Sequence, residues 1–312
     1  MKKTIFLFCS LMGYVHAGIE FKADERVRAL VTQDQQITPV IKELFSLTEI
    51  TCDGSLVDAK RVALEVFRRS NDPINNLRKE PWTKPASPFD AKFEQALPLF
   101  ERMNFFEEVL PESKEYTYAI VLGGCMRWMR QRLASLVKAW NSGVRFSQIV
   151  VLTGDRPRDV EYENDFELNN RDNGIMPIKA GWCLPNVLPN NETGLVQLLF
   201  DQADLPVEFA QLPLTIVNAP KRYLPDGKLV RPNTRTTIEH WLEQDPRPII
   251  GSCLVASSQP FVTYQDVVMR RFMPAEFSIE TIGSAIHPDD KTMSTLTDVL
   301  AVTLMYQHAR MS

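Results

Sequence analysis

After Pro111 the chain alternates short apolar runs rich in β-branched residues with longer stretches of helical spacing, a succession that few folds accommodate. Five such runs occur: Tyr116 to Leu122, Phe146 to Thr153, Leu212 to Asn218, Ile249 to Ala256 and Phe277 to Ile282. Between the first two, Arg130 to Ala139 carries Leu133, Leu136 and Val137 on one face, as a crossover helix does. Leu195 to Leu205 and Thr236 to Leu242 repeat the pattern before the third and fourth runs. This predicts an α/β fold: a doubly wound, mostly parallel five-stranded sheet spanning residues 116–312.

The preceding part has a different texture. Apolar residues recur at helical spacing, as in Val27, Leu30 and Val31, then Val40, Ile41, Leu44 and Phe45, then Val57, Val62, Leu64, Val66 and Phe67. Residues 18–115 are therefore expected to form a helical N-terminal section, interrupted by a loop where Pro81, Pro85 and Pro88 surround Trp82.

The first 17 residues suggest a cleavable export signal, with Lys2 and Lys3, an apolar run from Ile5 to Val15, and small residues in Val15-His16-Ala17. That run is too short for a stable bilayer span, which takes about 20 residues. The expectation is a periplasmic or secreted protein of 312 − 17 = 295 residues with no stable membrane span after cleavage. Cys52, Cys125, Cys183 and Cys253 would remain, and both disulfides and buried thiols are open to them. A net charge of −4 and the absence of any Lys/Arg run longer than two argue against nucleic acid as a partner.

Ligands of open parallel sheets bind beyond the carboxyl ends of the strands, so the candidate residues are those that follow each run. Gly123 and Gly124 would let backbone N–H groups approach an anion at a helix N-terminus, with Arg127 nearby. The second run ends in Gly154, Asp155 and Arg156, and the fourth in Ser257, Ser258 and Gln259. Asn233 and Thr234 stand before the helix that feeds the fourth run, where either would also serve as an N-cap. Each ending is equally what a turn requires, and each arginine is by itself ordinarily a solvated one. The arginines would add forked contacts to phosphate or carboxylate, so the expected partner is a small anionic molecule. Neither G-x-G-x-x-G nor the Walker pattern is present, and no motif specifies a cofactor.

Ala119 to Gly124, Thr153-Gly154, Glu192 at the start of a helix, Asn233-Thr234, and Leu254 to Arg271 form an ordered set that resembles the SanA/YdcF/ElyC-like family of bacterial proteins. The similarity covers about Tyr116 to Gly283. It implies a doubly wound α/β domain linked to cell-envelope upkeep, with Gly123, Gly124, Gly154, Glu192, Asn233 and Thr234 at matching positions. This chain departs from the pattern at Asp155, where the family commonly has glycine, and at Ser257 to Pro260, where it has a His followed by Arg.

A serine triad would have to join Ser257 or Ser258 to His287 and an acid such as Asp155, without a G-x-S-x-G elbow. Cys125 would need a lowered pKa and lacks an evident base. The acidic run Asp155, Asp159, Glu161, Glu163, Asp165 and Glu167 is interleaved with Arg156 and Arg158, which favours a solvated loop over a cation site, and no metal is expected. Two functions stay open. One is an exported enzyme acting on an anionic, phosphorylated or nucleotide-like small molecule, with Glu192 or Asp155 as acid or base. The other is a non-catalytic ligand-binding or envelope-assembly protein using the same pocket.

Overall fold

The computed structural model describes residues 30–32, 34–67, 87–287 and 292–311, with side chains as far as 307. The first 17 residues, Val27, Pro81, Trp82 and Pro85 lie outside the described residues, and Pro88 stands in an exposed turn.

Five strands form one all-parallel sheet: β1 (Glu115–Leu122), β2 (Arg145–Gly154), β3 (Leu214–Ala219), β6 (Ser252–Ser258) and β7 (Ser278–Ser284). A separate two-residue hairpin, β4 (Arg222–Tyr223) with β5 (Leu229–Val230), lies between β3 and β6 in sequence. The strand order β3-β2-β1-β6-β7 reverses direction at β1, as in a doubly wound sheet, and the crevice between β1 and β6 is its switch point.

Both faces of the sheet are covered, so the strands are apolar on alternate and on successive residues alike. Tyr118, Ile120 and Leu122 of β1 enter one core, with Val150, Leu152, Cys253 and Val255. Ala119 and Val121 enter the other, with Ile149, Val151, Leu254 and Ala256. Helix α4 (Met126–Asn141) buries Met126, Met129, Leu133, Leu136 and Trp140, a 3,4,3,4 spacing that lays one stripe on the second face. Helix α6 (Glu192–Gln202) lies beside it, with the short helices α5 (Asp165–Asn169) and α7 (Val207–Ala210). The first face takes α8 (Thr234–Leu242), α9 (Val262–Phe272) and α10 (Met293–Met311).

The N-terminal section joins that first core. Helices α1 (Pro39–Leu47), α2 (Leu56–Val66) and α3 (Phe93–Arg102) contribute Leu44, Ala59 and Phe100 to the cluster that holds Ile120, Val255 and Leu300. Backbone bonds between Val109 and Gly283, 2.9 and 3.1 Å long, run in both directions and attach the segment after α3 to β7.

Three of the expected strands shift along the chain, the last of them, β7, running from Ser278 to Ser284 rather than from Phe277 to Ile282. Ile249 and Ile250 sit in the entering loop, 76% and 59% exposed, and β6 begins at Ser252. It then continues through Ser258, two residues past the expected end, and β3 likewise starts at Leu214 and ends at Ala219. Register with the neighbouring strand sets these ends: Ser258 pairs with Ser284 and Ala219 with Gly154. Among the described residues no helix is long and apolar enough to cross a membrane.

Candidate functional site

The loop after β2 runs back beside the start of α6. Arg156 O accepts from Glu192 N at 2.9 Å, Arg158 N donates to Asn190 O at 2.9 Å, and Asn191 caps α6 by accepting from Gly194 N at 2.9 Å. This pairing brings Arg156 and Glu192 together at the carboxyl ends of β1 and β2.

There they form a buried ion triad with Glu163, which is 1% exposed. Arg156 forks onto Glu163 through Nη1 (3.1 Å) and Nη2 (2.9 Å), and its Nε donates to Glu192 Oε2 at 3.1 Å. Its Nη2 also donates to Gly124 O at 3.0 Å. Glu163 further accepts from Met126 N, the first turn of α4, and from Asp159 N, both at 2.9 Å. The helix N-terminus that the glycine loop was expected to offer to a ligand is thus met by a carboxylate of the chain itself.

Glu192 differs from its partner. Its Oε2 is held by Arg156, while its Oε1 turns toward Gly123. Burial raises its pKa to about 7; the charge and hydrogen bond of Arg156 pull the other way, the Glu163 carboxylate adds to the rise, and Arg231 opposes it. It lines a cavity of about 150 Å³ at the switch point.

The cavity gathers Gly123, Gly124, Gly154, Arg156, Glu192, Asn233 and Thr234, seven of the residues singled out in the sequence. Two of the glycines are there because a β-carbon would not fit. At Gly123 it would stand 1.9 Å from Glu192 Oε1, and at Gly154 it would stand 2.1 Å from Pro232 Cγ, so the loop carrying Arg231 closes against β2. Asn233 caps α8 in a capping box: its Oδ1 accepts from Thr236 N at 3.1 Å and its own N donates to Thr236 Oγ1 at 2.8 Å.

Other candidates lie elsewhere. Arg127 is exposed on α4, and Asp155 stands 3.3 Å from Lys221 with its carboxylate outside the cavity. Ser257 and Ser258 belong to β6 and are enclosed by its neighbours; neither hydroxyl has a hydrogen-bond partner among the described residues, so no histidine holds either one. Gln259 Nε2 donates to Asn104 O at 2.9 Å and Glu107 O at 2.7 Å, fastening β6 to the N-terminal section. The Cys125 thiol is pushed up to about 12 by burial, the reverse of what a nucleophile needs. Cys52, Cys125, Cys183 and Cys253 are free thiols.

The sequence had not pointed to Arg132, Trp128 or Tyr306, and held Tyr264 only within Leu254 to Arg271 and Arg231 only beside Asn233-Thr234; all five line the cavity. Arg132 is 2% exposed and its Nη1 donates to Leu122 O (2.7 Å) and Gly123 O. Its position on the buried side of α4, two turns from the glycine loop, was the one available signal. Tyr306 had none, because only the fold returns α10 to the cavity.

Fold and site together define a doubly wound α/β protein with an arginine-lined pocket and one near-neutral buried carboxyl at its switch point. No family model, no curated protein and no solved structure matches the chain.

Proposed function

We propose that the protein is an exported enzyme that acts on a small anionic molecule, phosphorylated or carboxylated, with Glu192 as general acid or base. The observation that carries this is the position of Glu192: a buried carboxyl with a pKa of about 7, one oxygen held by Arg156 and the other against Gly123, in a cavity that Arg132 and Arg231 also line. A carboxyl poised near neutrality exchanges a proton efficiently in either direction. Arg132 and Arg231, which line the cavity outside the Glu163-Arg156-Glu192 triad, favour an anionic ligand, whose charge they would hold while Glu192 takes a proton from an attacking hydroxyl or water.

The signal-like first 17 residues support export. The resemblance to SanA/YdcF/ElyC-like proteins supports a place in cell-envelope upkeep. A second reading, a non-catalytic binding protein, is favoured by the Glu163-Arg156-Glu192 triad, since structural ion networks also shift pKa values.

The test is to incubate the purified chain and its Glu192→Gln variant with phosphoesters, nucleotides and peptidoglycan precursors, following binding and product together. Turnover by the parent that the variant loses would support the enzyme. Binding without conversion throughout would overturn it in favour of the second reading.

A further inference from the structure

Aromatic rings share the cavity lining with the charged groups. Trp128 of α4 and Phe261, which caps α9, have ring centroids 5.2 Å apart, and Tyr264 of α9 and Tyr306 of α10 have theirs 6.0 Å apart; all four rings belong to the lining. Charge and ring meet at Gly124. Arg132 Nη1 and Trp128 Cε3 approach within 3.2 and 3.3 Å of the point where a Gly124 β-carbon would lie, so guanidinium and indole stand side by side over the glycine loop.

We infer that the pocket takes an anion carried on a planar ring, the ring against the Trp128, Tyr264 and Tyr306 side and the charge against the arginines. Three helices from separate parts of the chain bring these rings to one cavity, and a ligand that lacked a flat apolar face would leave them against water. Stacking on an aromatic is tolerant of ring identity, whereas an arginine fork selects the anion. Gln265, one residue on from Tyr264, also lines the cavity and is 7% exposed, with its Oε1 lacking a hydrogen-bond partner among the described residues. An amino or N–H group on the ring would answer that acceptor. This inference rests on the anionic ligand of the proposed function and adds the ring.

Calorimetric titration of the full chain with phenyl phosphate, adenosine 5′-monophosphate, ribose 5-phosphate, inorganic phosphate and adenosine tests it. The ring-bearing phosphates should bind about tenfold tighter than ribose 5-phosphate, within the range that one stacked base contributes. Trp128→Leu and Tyr306→Leu should each weaken adenosine 5′-monophosphate by about fivefold, with melting curves on the same samples to separate lost contact from lost fold. The comparison of ligands on the unaltered chain stands whatever the variants do. Equal affinity for ring-bearing and ring-free phosphates overturns the ring and leaves the anion. Adenosine binding as tightly as its phosphate overturns the anionic ligand itself, and so does the failure of every phosphate to bind.

Discussion

Glu192 Oε1 occupies space that only a glycine at position 123 leaves open, standing 1.9 Å from where a β-carbon there would be. The same β-carbon would lie 2.8 Å from Leu152 O, a backbone atom with no room to yield. Gly123→Ala is therefore expected to destabilise the fold by about 1–3 kcal/mol and to swing Glu192 away from the cavity. Urea denaturation checks the first effect. Loss of whatever anion binding the parent shows checks the second.

Glu192 also makes stability depend on pH in a defined direction. Its folded pKa is about 7 against an ordinary 4.5, so between those values the native state keeps a proton that the unfolded state has released. Its contribution is absent below about pH 4.5 and grows more unfavourable as pH rises toward 7, reaching about 3 kcal/mol at 1.36 kcal/mol per unit. Glu192→Gln should then gain stability relative to the parent between pH 5 and pH 8, measured by chemical denaturation at both. The same substitution should abolish any proton transfer, a trade of activity against stability that buried functional carboxyls often show.

Arg156 holds two buried carboxylates at once. Arg156→Met should cost about 3–5 kcal/mol, because Glu163 would be left buried without its counter-charge. Arg156→Lys restores the charge without the fork, so it should recover only part of the loss. Midpoints of guanidinium unfolding for the three proteins give the ranking.

The hydroxyls of Ser257 and Ser258 are buried with no partner among the described residues. Replacing either by alanine removes an unsatisfied group, so Ser257→Ala and Ser258→Ala should be neutral or stabilising by up to about 1 kcal/mol. They should leave ligand affinity unchanged. Thermal melts and the titrations above check both points.

The sheet was readable from the five apolar runs because strands buried on both faces carry a signal independent of context. Strand ends were harder to place: Ile249 and Ile250 have the right residue type for a strand but no neighbour to pair with, and Ser257 and Ser258 have turn chemistry yet stay in register with β7. Among site residues, Gly123 and Gly154 could be found because they end strands, whereas Glu192 was reached only through the resemblance to SanA/YdcF/ElyC-like proteins. The use to which Arg156 is put could not, because Glu163 lies seven residues away in a run of acids and nothing local distinguishes it from Glu161 or Glu167. Tyr306 and Arg231 reach the cavity only through the packing of α10 and of Pro232 against Gly154.

The most direct test of this account is the titration of the Glu192 carboxyl itself, followed by carbon NMR on glutamate-labelled protein, with Glu192→Gln to assign the resonance. A midpoint near pH 7, moving when an anion fills the cavity, is the expected result. A midpoint near the ordinary 4.5, unmoved by any anion, would contradict it.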